Sequence, residues 1–191
     1  METSPAFATL EASLGGKWLE LLSEIAPGLK QAALLNLNPD SPVFMPSVET
    51  AARLLKVVPI SAPVHGDVEI KTAINALGRE PGGGLVVLPG VFMVAHRSPI
   101  ISAAARNNVP TVYSLSYFAR DGGLLSYGPD LVDTSRRAAT YVDRILRGAK
   151  PGDLPVQYPT KFEMVLNLKT AKALGLAVPP SIMLRATEVT E

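Results

Sequence analysis

The chain has 191 residues, 47% of them hydrophobic, which is enough to bury a sizeable core within one domain. Its 18 Lys and Arg residues nearly balance 17 Asp and Glu residues and are scattered along the chain, which argues against nucleic-acid binding because that function needs a concentrated basic face. The absence of cysteine excludes disulfides, thiol catalysis and Cys-ligated zinc.

Two further classes are disfavoured by the pattern of apolar residues. No apolar run approaches the roughly 18 residues of a membrane span. The start, Met1–Pro5, lacks the basic residues and the apolar core of a secretory signal. We therefore expect no membrane insertion, and a cytoplasmic location if the chain is expressed as written.

Helices and strands are predicted to alternate along the chain. Helical apolar spacing predicts helices over Lys17–Ala26, Val43–Leu55, Val68–Gly78, from Ser98 or Pro99 to Asn107, Leu131–Arg147 and Lys169–Leu174. Short apolar runs bounded by turn formers predict strands at Ala32–Leu37, Val57–Ser61, Leu85–Leu88, Thr111–Tyr113, Leu124–Tyr127, Leu154–Tyr158 and Phe162–Leu166. Pro59 favours an edge position for the second strand, and Asp67 is predicted to be the N-cap of the helix after it.

The central prediction concerns the β-α-β-α-β-α-β pattern from Ala32 to Tyr113. Leu85–Leu88 follows three glycines and ends abruptly at Pro89, as expected of a strand that is buried on both faces. Alternating helices cover both faces of such strands, so the pattern predicts an α/β fold with an open, mostly parallel sheet of flavodoxin-like order. Ligands of these sheets bind beyond the carboxyl ends of the strands, where the strand order reverses.

The residues that follow the strands are therefore the candidate ligand-binding residues. Asn38 and Asp40 follow the first strand, where they are equally compatible with contacts to a ligand and with an ordinary turn. Aromatic side chains that follow later strands can pack under a loop or stack on a ligand, and several such strand ends favour the ligand. The candidates after the strands are Asn38, Asp40, Phe92, Tyr113, Ser114, Tyr117 and Phe118.

The sequence indicates no catalytic residue, metal site or cofactor. Gly82–Gly84 precede a strand, whereas a phosphate loop follows a strand and opens a helix, so a linker is the favoured interpretation. His65 and His96 are the only two histidines; no G-x-S-x-G motif and no paired metal-ligand spacing accompany them, although His96 beside Arg97 could hold an anion.

Several longer stretches resemble the ABC-transporter substrate-binding proteins of the tryptophan- and tyrosine-uptake type. The stretches that carry the resemblance cover nearly the whole chain; they are Gly15–Leu22, Val109–Phe118, Gly122–Gly128, Tyr141–Gly148, Asp153–Gln157, Pro159–Glu163, Asn167–Gly175, Val178–Ser181 and Arg185–Val189.

The resemblance implies the C-terminal lobe of a type I periplasmic binding protein, in which two lobes close on a small ligand. It implies a remnant of the interlobe crossing at 1–15, a ligand-binding lobe at 16–121, a crossing segment with its helix at 122–150, and a return to the lobe at 151–191. It also places Asn38, Asp40, Pro89, Phe92, Tyr113 and Tyr117 on the cleft face of this lobe. Relatives carry a signal peptide and a first lobe before the position of Gly15, so we expect a truncated, single-lobe form.

The resemblance also bears on partners. In the family, the helix Leu131–Arg147 packs mainly on the first lobe. Its apolar residues would otherwise be exposed, so we expect a homodimer or an exchanged segment. The residues concerned are Leu131, Ser135, Ala138, Tyr141, Val142, Ile145 and Leu146.

The predicted function is thus capture of a small solute, such as an amino acid or an aromatic compound, for an ABC importer. The resemblance implies a periplasmic location and an ABC permease as partner for a full-length exported form, and no enzymatic activity. A cytoplasmic sensor or interaction domain that reuses this lobe is the alternative. A small α/β enzyme is less favoured because no nucleophile–base pair is visible.

Overall fold

The structure, a computed structural model, describes residues 11–36, 43–79 and 81–191. The strands are β1 (Gln31–Asn36), β2 (Val58–Pro63), β3 (Gly83–Val87), β4 (Thr111–Tyr113), β5 (Leu125–Pro129), β6 (Phe162–Asn167) and β7 (Glu188–Thr190). The helices are α1 (Leu14–Ile25), α2 (Met45–Leu55), α3 (Asp67–Leu77), α4 (Val91–Ala95), α5 (Arg97–Arg106), α6 (Ser116–Arg120), α7 (Leu131–Leu146), α8 (Leu168–Ala173) and α9 (Pro180–Arg185).

These residues divide into two compact units. The larger unit consists of residues 12–128 and 163–191, and the described part of the smaller unit consists of residue 11 and residues 129–162. The larger unit holds nearly all of the sheet, whereas the smaller unit is built around α7.

In the described residues, the sheet has seven strands in the order β2-β1-β3-β4-β5-β6-β7. β1 pairs in parallel with both β2 and β3, and the pairs β3–β4, β4–β5 and β6–β7 are parallel as well. The order of the first five strands is the flavodoxin-like order predicted from the sequence, with β2 at the edge, as Pro59 indicated. β2 lies on one side of β1 and β3 lies on the other. The strand order therefore reverses between β1 and β3.

Both faces of β3 are covered by other elements, which explains why apolar and polar residues do not alternate along its sequence. Leu85 and Val87 belong to a buried cluster with Ile74 and Ile100 from the flanking helices, while Val86 is buried on the opposite face. Trp18 of α1 is also fully buried, and its indole N–H donates to the backbone oxygen of Tyr127 over 2.7 Å.

Several predicted elements differ from the structure. One helix was predicted from Ser98 or Pro99, but two helices meet at His96. Asp67 was predicted to be an N-cap, yet it is the first residue of α3, where its carboxylate still faces the positive end of the helix dipole. The short elements α6, α9 and β7 were not predicted.

The predicted strand Leu154–Tyr158 is absent from the described strands. Its carbonyls are bound by side chains of α7 within the smaller unit. The Tyr141 hydroxyl donates to the backbone oxygen of Pro155 over 2.7 Å, and the Arg137 guanidinium donates to that of Tyr158 over 3.0 Å. Backbone groups satisfied by side chains do not need a neighbouring strand.

Helix α7 begins at a true N-cap, because the Asp130 carboxylate accepts from the backbone N–H groups of Val132 and Asp133. Of the predicted apolar face, Tyr141 is buried, whereas Val142 is 56% exposed and Leu146 is 81% exposed. The predicted exposure is therefore wrong for Tyr141, and the homodimer that it suggested stays a prediction.

Candidate ligand-binding site

Backbone hydrogen bonds bring the carboxyl ends of four strands together. The N–H of Val64, after β2, donates to the oxygen of Asn36 in β1 over 2.8 Å. The N–H of Leu88, after β3, donates to Leu35 over 3.1 Å, and the N–H of Ser114, after β4, donates to Val87 over 3.2 Å. The side chains of these terminal residues are thereby held along the edge of the sheet where the strand order reverses.

Buried polar atoms without a partner mark this edge. Among the described residues, Asn36 Oδ1, Ser114 Oγ and Ser126 Oγ are buried and accept no hydrogen bond. The amide nitrogen of Asn36 donates to Leu34 O over 3.0 Å and approaches Ser61 Oγ at 3.5 Å, and this arrangement leaves Oδ1 free to accept. A buried polar group without a partner costs about 1–3 kcal/mol, so such groups call for an explanation, of which a ligand is one.

Phe92 follows β3 and packs against His96. Its half-buried ring stacks on the His96 ring with the centroids 4.0 Å apart. His96 Nδ1 donates to the Phe92 oxygen over 2.9 Å, because a carbonyl can only accept, and Nε2 lies 3.7 Å from Asp67 Oδ1. The packing holds Phe92 beside Pro89, which is also half-buried.

The two candidate tyrosines lie in different environments. Tyr113 is 1% exposed, stacks on Phe118 with the centroids 4.8 Å apart, and lies so close to Gly123 that a Cβ there would be 2.4 Å from its ring. Burial raises the pKa of its hydroxyl and keeps it neutral. The structure therefore places Tyr113 in the core, whereas Tyr117 in α6 remains half-buried.

Three further polar residues were considered from the sequence. Asn38 and Asp40 lie outside the described residues. His65 pairs with Glu69 in the first turn of α3; its backbone N–H, and then its ring, hold the pKa of that carboxyl below the usual value.

The described residues contain neither a metal-binding cluster nor a membrane-spanning helix. Where the structure describes the chain, no group of three or more His, Asp or Glu side chains could hold a metal ion. Within that part of the chain, every helix is too short or too polar to cross a bilayer.

Sequence reasoning missed Asn36 and Ser126 as candidates. Each is a polar residue within a predicted apolar strand, Ala32–Leu37 and Leu124–Tyr127. A polar residue in a strand that is buried on both faces was the available signal, because such a residue must either find a partner in the protein or bind something else.

The sheet order and the reversal between β1 and β3 define the fold of a type I periplasmic binding protein lobe, and comparisons with known proteins identify the family. The sequence profile described as "ABC transporter substrate binding protein" matches residues 11–190. The chain belongs to this family of ABC transporter substrate-binding proteins. That membership confirms the resemblance noted from the sequence.

Individual relatives are more distant. A "Tyrosine-binding protein" of Clostridioides difficile is 23% identical over 163 residues, which are 84% of this chain and 47% of that protein. A conserved domain protein of Vibrio cholerae superposes with a TM-score of 0.84 at 22% identity, covering 97% of this chain and 62% of that one. The ABC domain of Streptococcus pneumoniae in complex with L-Trp gives a TM-score of 0.78 at 21% identity, covering 92% and 61%. The chain thus spans about half the length of the curated relative that it matches.

Proposed function

We propose that this chain binds an aromatic amino acid at the carboxyl edge of its sheet, as part of the solute-binding component of an ABC importer. The observation that carries the proposal is the pair of buried, unpartnered oxygens Asn36 Oδ1 and Ser114 Oγ. β3 lies between the strands that hold them, so the two strand ends are roughly 10 Å apart, and a small molecule lying over the end of β3 can bridge them.

The chemistry of these atoms selects the ligand class. An amide oxygen only accepts, so Asn36 Oδ1 calls for a donor such as an ammonium group, whereas the Ser114 hydroxyl can donate or accept. An amino acid provides both kinds of group on one carbon atom. The names of two relatives, a tyrosine-binding protein and a domain in complex with L-Trp, support an aromatic side chain.

Phe92 and Tyr117 are the aromatic residues that we assign to the ligand's ring, with Pro89 as an apolar neighbour. Both are half-buried, so each keeps an accessible surface for stacking. Asn38 and Asp40 remain candidates for the amino group of the ligand, since they follow directly from β1. Tyr113 has a supporting role in this proposal because its ring is packed on Phe118.

Delivery to a permease in the periplasm is the wider role that we propose. The curated relative is about twice as long as this chain. Its length and the two-lobed closure of hinged binding proteins support a second wall over the ligand, formed by another lobe. The exposed residues Val142 and Leu146 of α7 support a contact between two copies of this chain as a substitute wall. Native mass spectrometry of the purified chain distinguishes the two arrangements: a dimer supports the substitute wall, and a monomer contradicts it.

Isothermal titration calorimetry with L-Tyr and L-Trp tests the binding site. Ser114→Ala removes one polar contact and should weaken binding about fivefold, since a net hydrogen bond is worth about 1 kcal/mol. Phe92→Leu should weaken it by a similar factor through the loss of stacking. The control is Ser98→Ala on the exposed surface of α5, which should bind as the parent does. Absence of binding in the parent, or unchanged binding in both site variants, would contradict the proposal.

A further inference from the structure

A cavity lies at the opposite, amino edge of the sheet and has a volume of about 630 Å³. It is formed by the connections that enter β1, β3 and β4, together with the segment after α8. The lining comprises residues 26–30, 77–79, 81–83, 107, 108, 110, 174 and 176. Small-molecule sites range over about 300–1,000 Å³, so the volume suits a ligand of that size. We propose that this cavity binds an organic anion with an apolar ring.

The glycine triplet 82–84, whose last two residues begin β3, explains how the cavity forms. A Cβ on Gly83 would lie 2.4 Å from the backbone oxygen of Leu77, so the end of α3 rests directly on the strand. Gly82 has a φ of +94° and lies close to Gly28. The backbone of Gly82 and Gly83, which carry no side chain, therefore forms one wall of the cavity. This is a structural role that differs from a flexible linker and from a phosphate loop.

Two cations that line the cavity have no side-chain partner among the described residues. The side chains of Lys30 and Arg79 are exposed and form neither an ion pair nor a hydrogen bond with the residues that the structure describes. Carbonyls at the ends of the adjoining helices already accept backbone N–H groups: Ala26 from Leu29 over 3.2 Å, and Ala76 from Arg79 over 3.4 Å. Since the helix ends are satisfied, the two cations are not needed as caps and remain available to an anion.

The other lining residues suit a ring. Leucine and proline side chains contribute most of the apolar surface, namely Leu29, Leu77, Leu174, Leu176, Pro27, Pro81 and Pro110. Asn108, in the left-handed conformation with φ 52°, adds an amide beside them. The cavity therefore combines apolar side chains with polar groups, as a small-molecule site does, and its charged groups among the described residues are cationic.

Two fluorescent probes test the proposal: the anion 8-anilinonaphthalene-1-sulfonate and its uncharged analogue N-phenyl-1-naphthylamine. The double variant Lys30→Gln/Arg79→Gln should bind the sulfonate at least tenfold more weakly and the neutral probe almost unchanged. The matched control Arg53→Gln/Lys71→Gln removes the same charges from exposed surfaces of α2 and α3 and should leave both affinities as they are. If both double variants bind the sulfonate equally more weakly, the proposal is overturned, because the loss of affinity would then come from the change in net charge alone.

The place where the sulfonate binds is tested by ¹⁵N–¹H NMR on the parent chain. The sulfonate should shift the amide signals of Gly82, Gly83 and Asn108. Shifts at Phe92 and Ser114 instead, or displacement of the sulfonate by L-Trp, would show that it occupies the carboxyl edge and would overturn the proposal. A failure of L-Trp to bind counts against the function proposed above but leaves these shifts as a separate test.

Discussion

The two edges of the parallel sheet differ in whether their polar groups have hydrogen-bond partners and in how much space surrounds their glycines. At the carboxyl edge, Asn36 and Ser114 keep buried oxygens without partners, while Gly90 has open space around it. At the amino edge, helix-end carbonyls accept backbone N–H groups and Gly83 is pressed against Leu77. The carboxyl edge therefore keeps buried oxygens unsatisfied at a cost in stability, whereas the backbone groups named at the amino edge are paired and Lys30 and Arg79 there have no partner among the described residues.

The largest expected effect is a difference between two glycine substitutions, one at each edge. Gly83→Ala should destabilise the protein by about 3 kcal/mol, because the new Cβ meets a backbone oxygen that cannot move aside cheaply. Gly90→Ala should change stability by less than about 0.5 kcal/mol, since its backbone is extended and nothing lies within 4 Å of the new Cβ. Urea unfolding measures both. Similar losses at the two positions would remove the contrast in packing between the edges.

A smaller effect is expected at the carboxyl edge. Ser126→Ala removes a buried hydroxyl that has no partner, so the free energy of unfolding should stay the same or rise by about 1 kcal/mol. Ser47→Ala is the matched control, because its hydroxyl accepts from Gly16 N–H over 3.2 Å and donates to Phe44 O over 2.9 Å. It should lose about 1 kcal/mol or more. A loss at Ser126 as large as that at Ser47 would mean that the hydroxyl of Ser126 does have a partner.

The smallest effect concerns a set of charges that are fully paired, in contrast to the free oxygens. Arg120 in α6 donates to Glu188 of β7 and to Glu163 of β6, at distances between 2.7 and 3.2 Å. The hydrogen bond from Arg120 holds the pKa of Glu188 below the usual value of a glutamate carboxyl. A carboxyl with a lowered folded-state pKa stabilises the protein above its unfolded pKa, and this stabilisation is lost as the pH falls through the folded value.

The free energy of unfolding should therefore fall as the pH decreases below about 4.5, and the decrease should be shallower in Arg120→Gln. The difference between the two proteins should be at most about 1 kcal/mol at pH 7, because all three side chains are partly exposed. Chemical unfolding across a pH series measures it. Parallel pH profiles would show that Arg120 contributes nothing to the acid sensitivity.

The sequence was informative wherever a signal was local. The buried run Leu85–Leu88, the edge position indicated by Pro59 and the start of α7 at Leu131 were all confirmed. β4 and β7 both have three residues, but only β4 was predicted, because its residues belong to an apolar run bounded by turn formers. Glu188–Thr190 form no such run, and β7 exists through its pairing with β6.

For the candidate site, the strand ends were predictable and the environment of each side chain was not. Phe92 and Ser114 were correctly expected to follow β3 and β4, but the same reasoning could not tell that Tyr113 faces the core. Its direction depends on the pleat of β4 and on the close approach of Gly123, which comes ten residues later in the chain.

The sequence by itself determined the order of the elements in the parallel sheet and the edge at which a ligand is expected. These follow from periodicity, turn residues and crossover handedness, which act over short stretches of chain. The family came from the resemblance of longer stretches of the sequence to known proteins. Only the tertiary structure decided that Asn36 and Ser114 keep free oxygens, that Tyr113 is buried, and that a cavity opens near Lys30 and Arg79. Those features depend on which distant backbone and side-chain groups meet, and hydrogen-bond partners and close contacts are set by the whole fold.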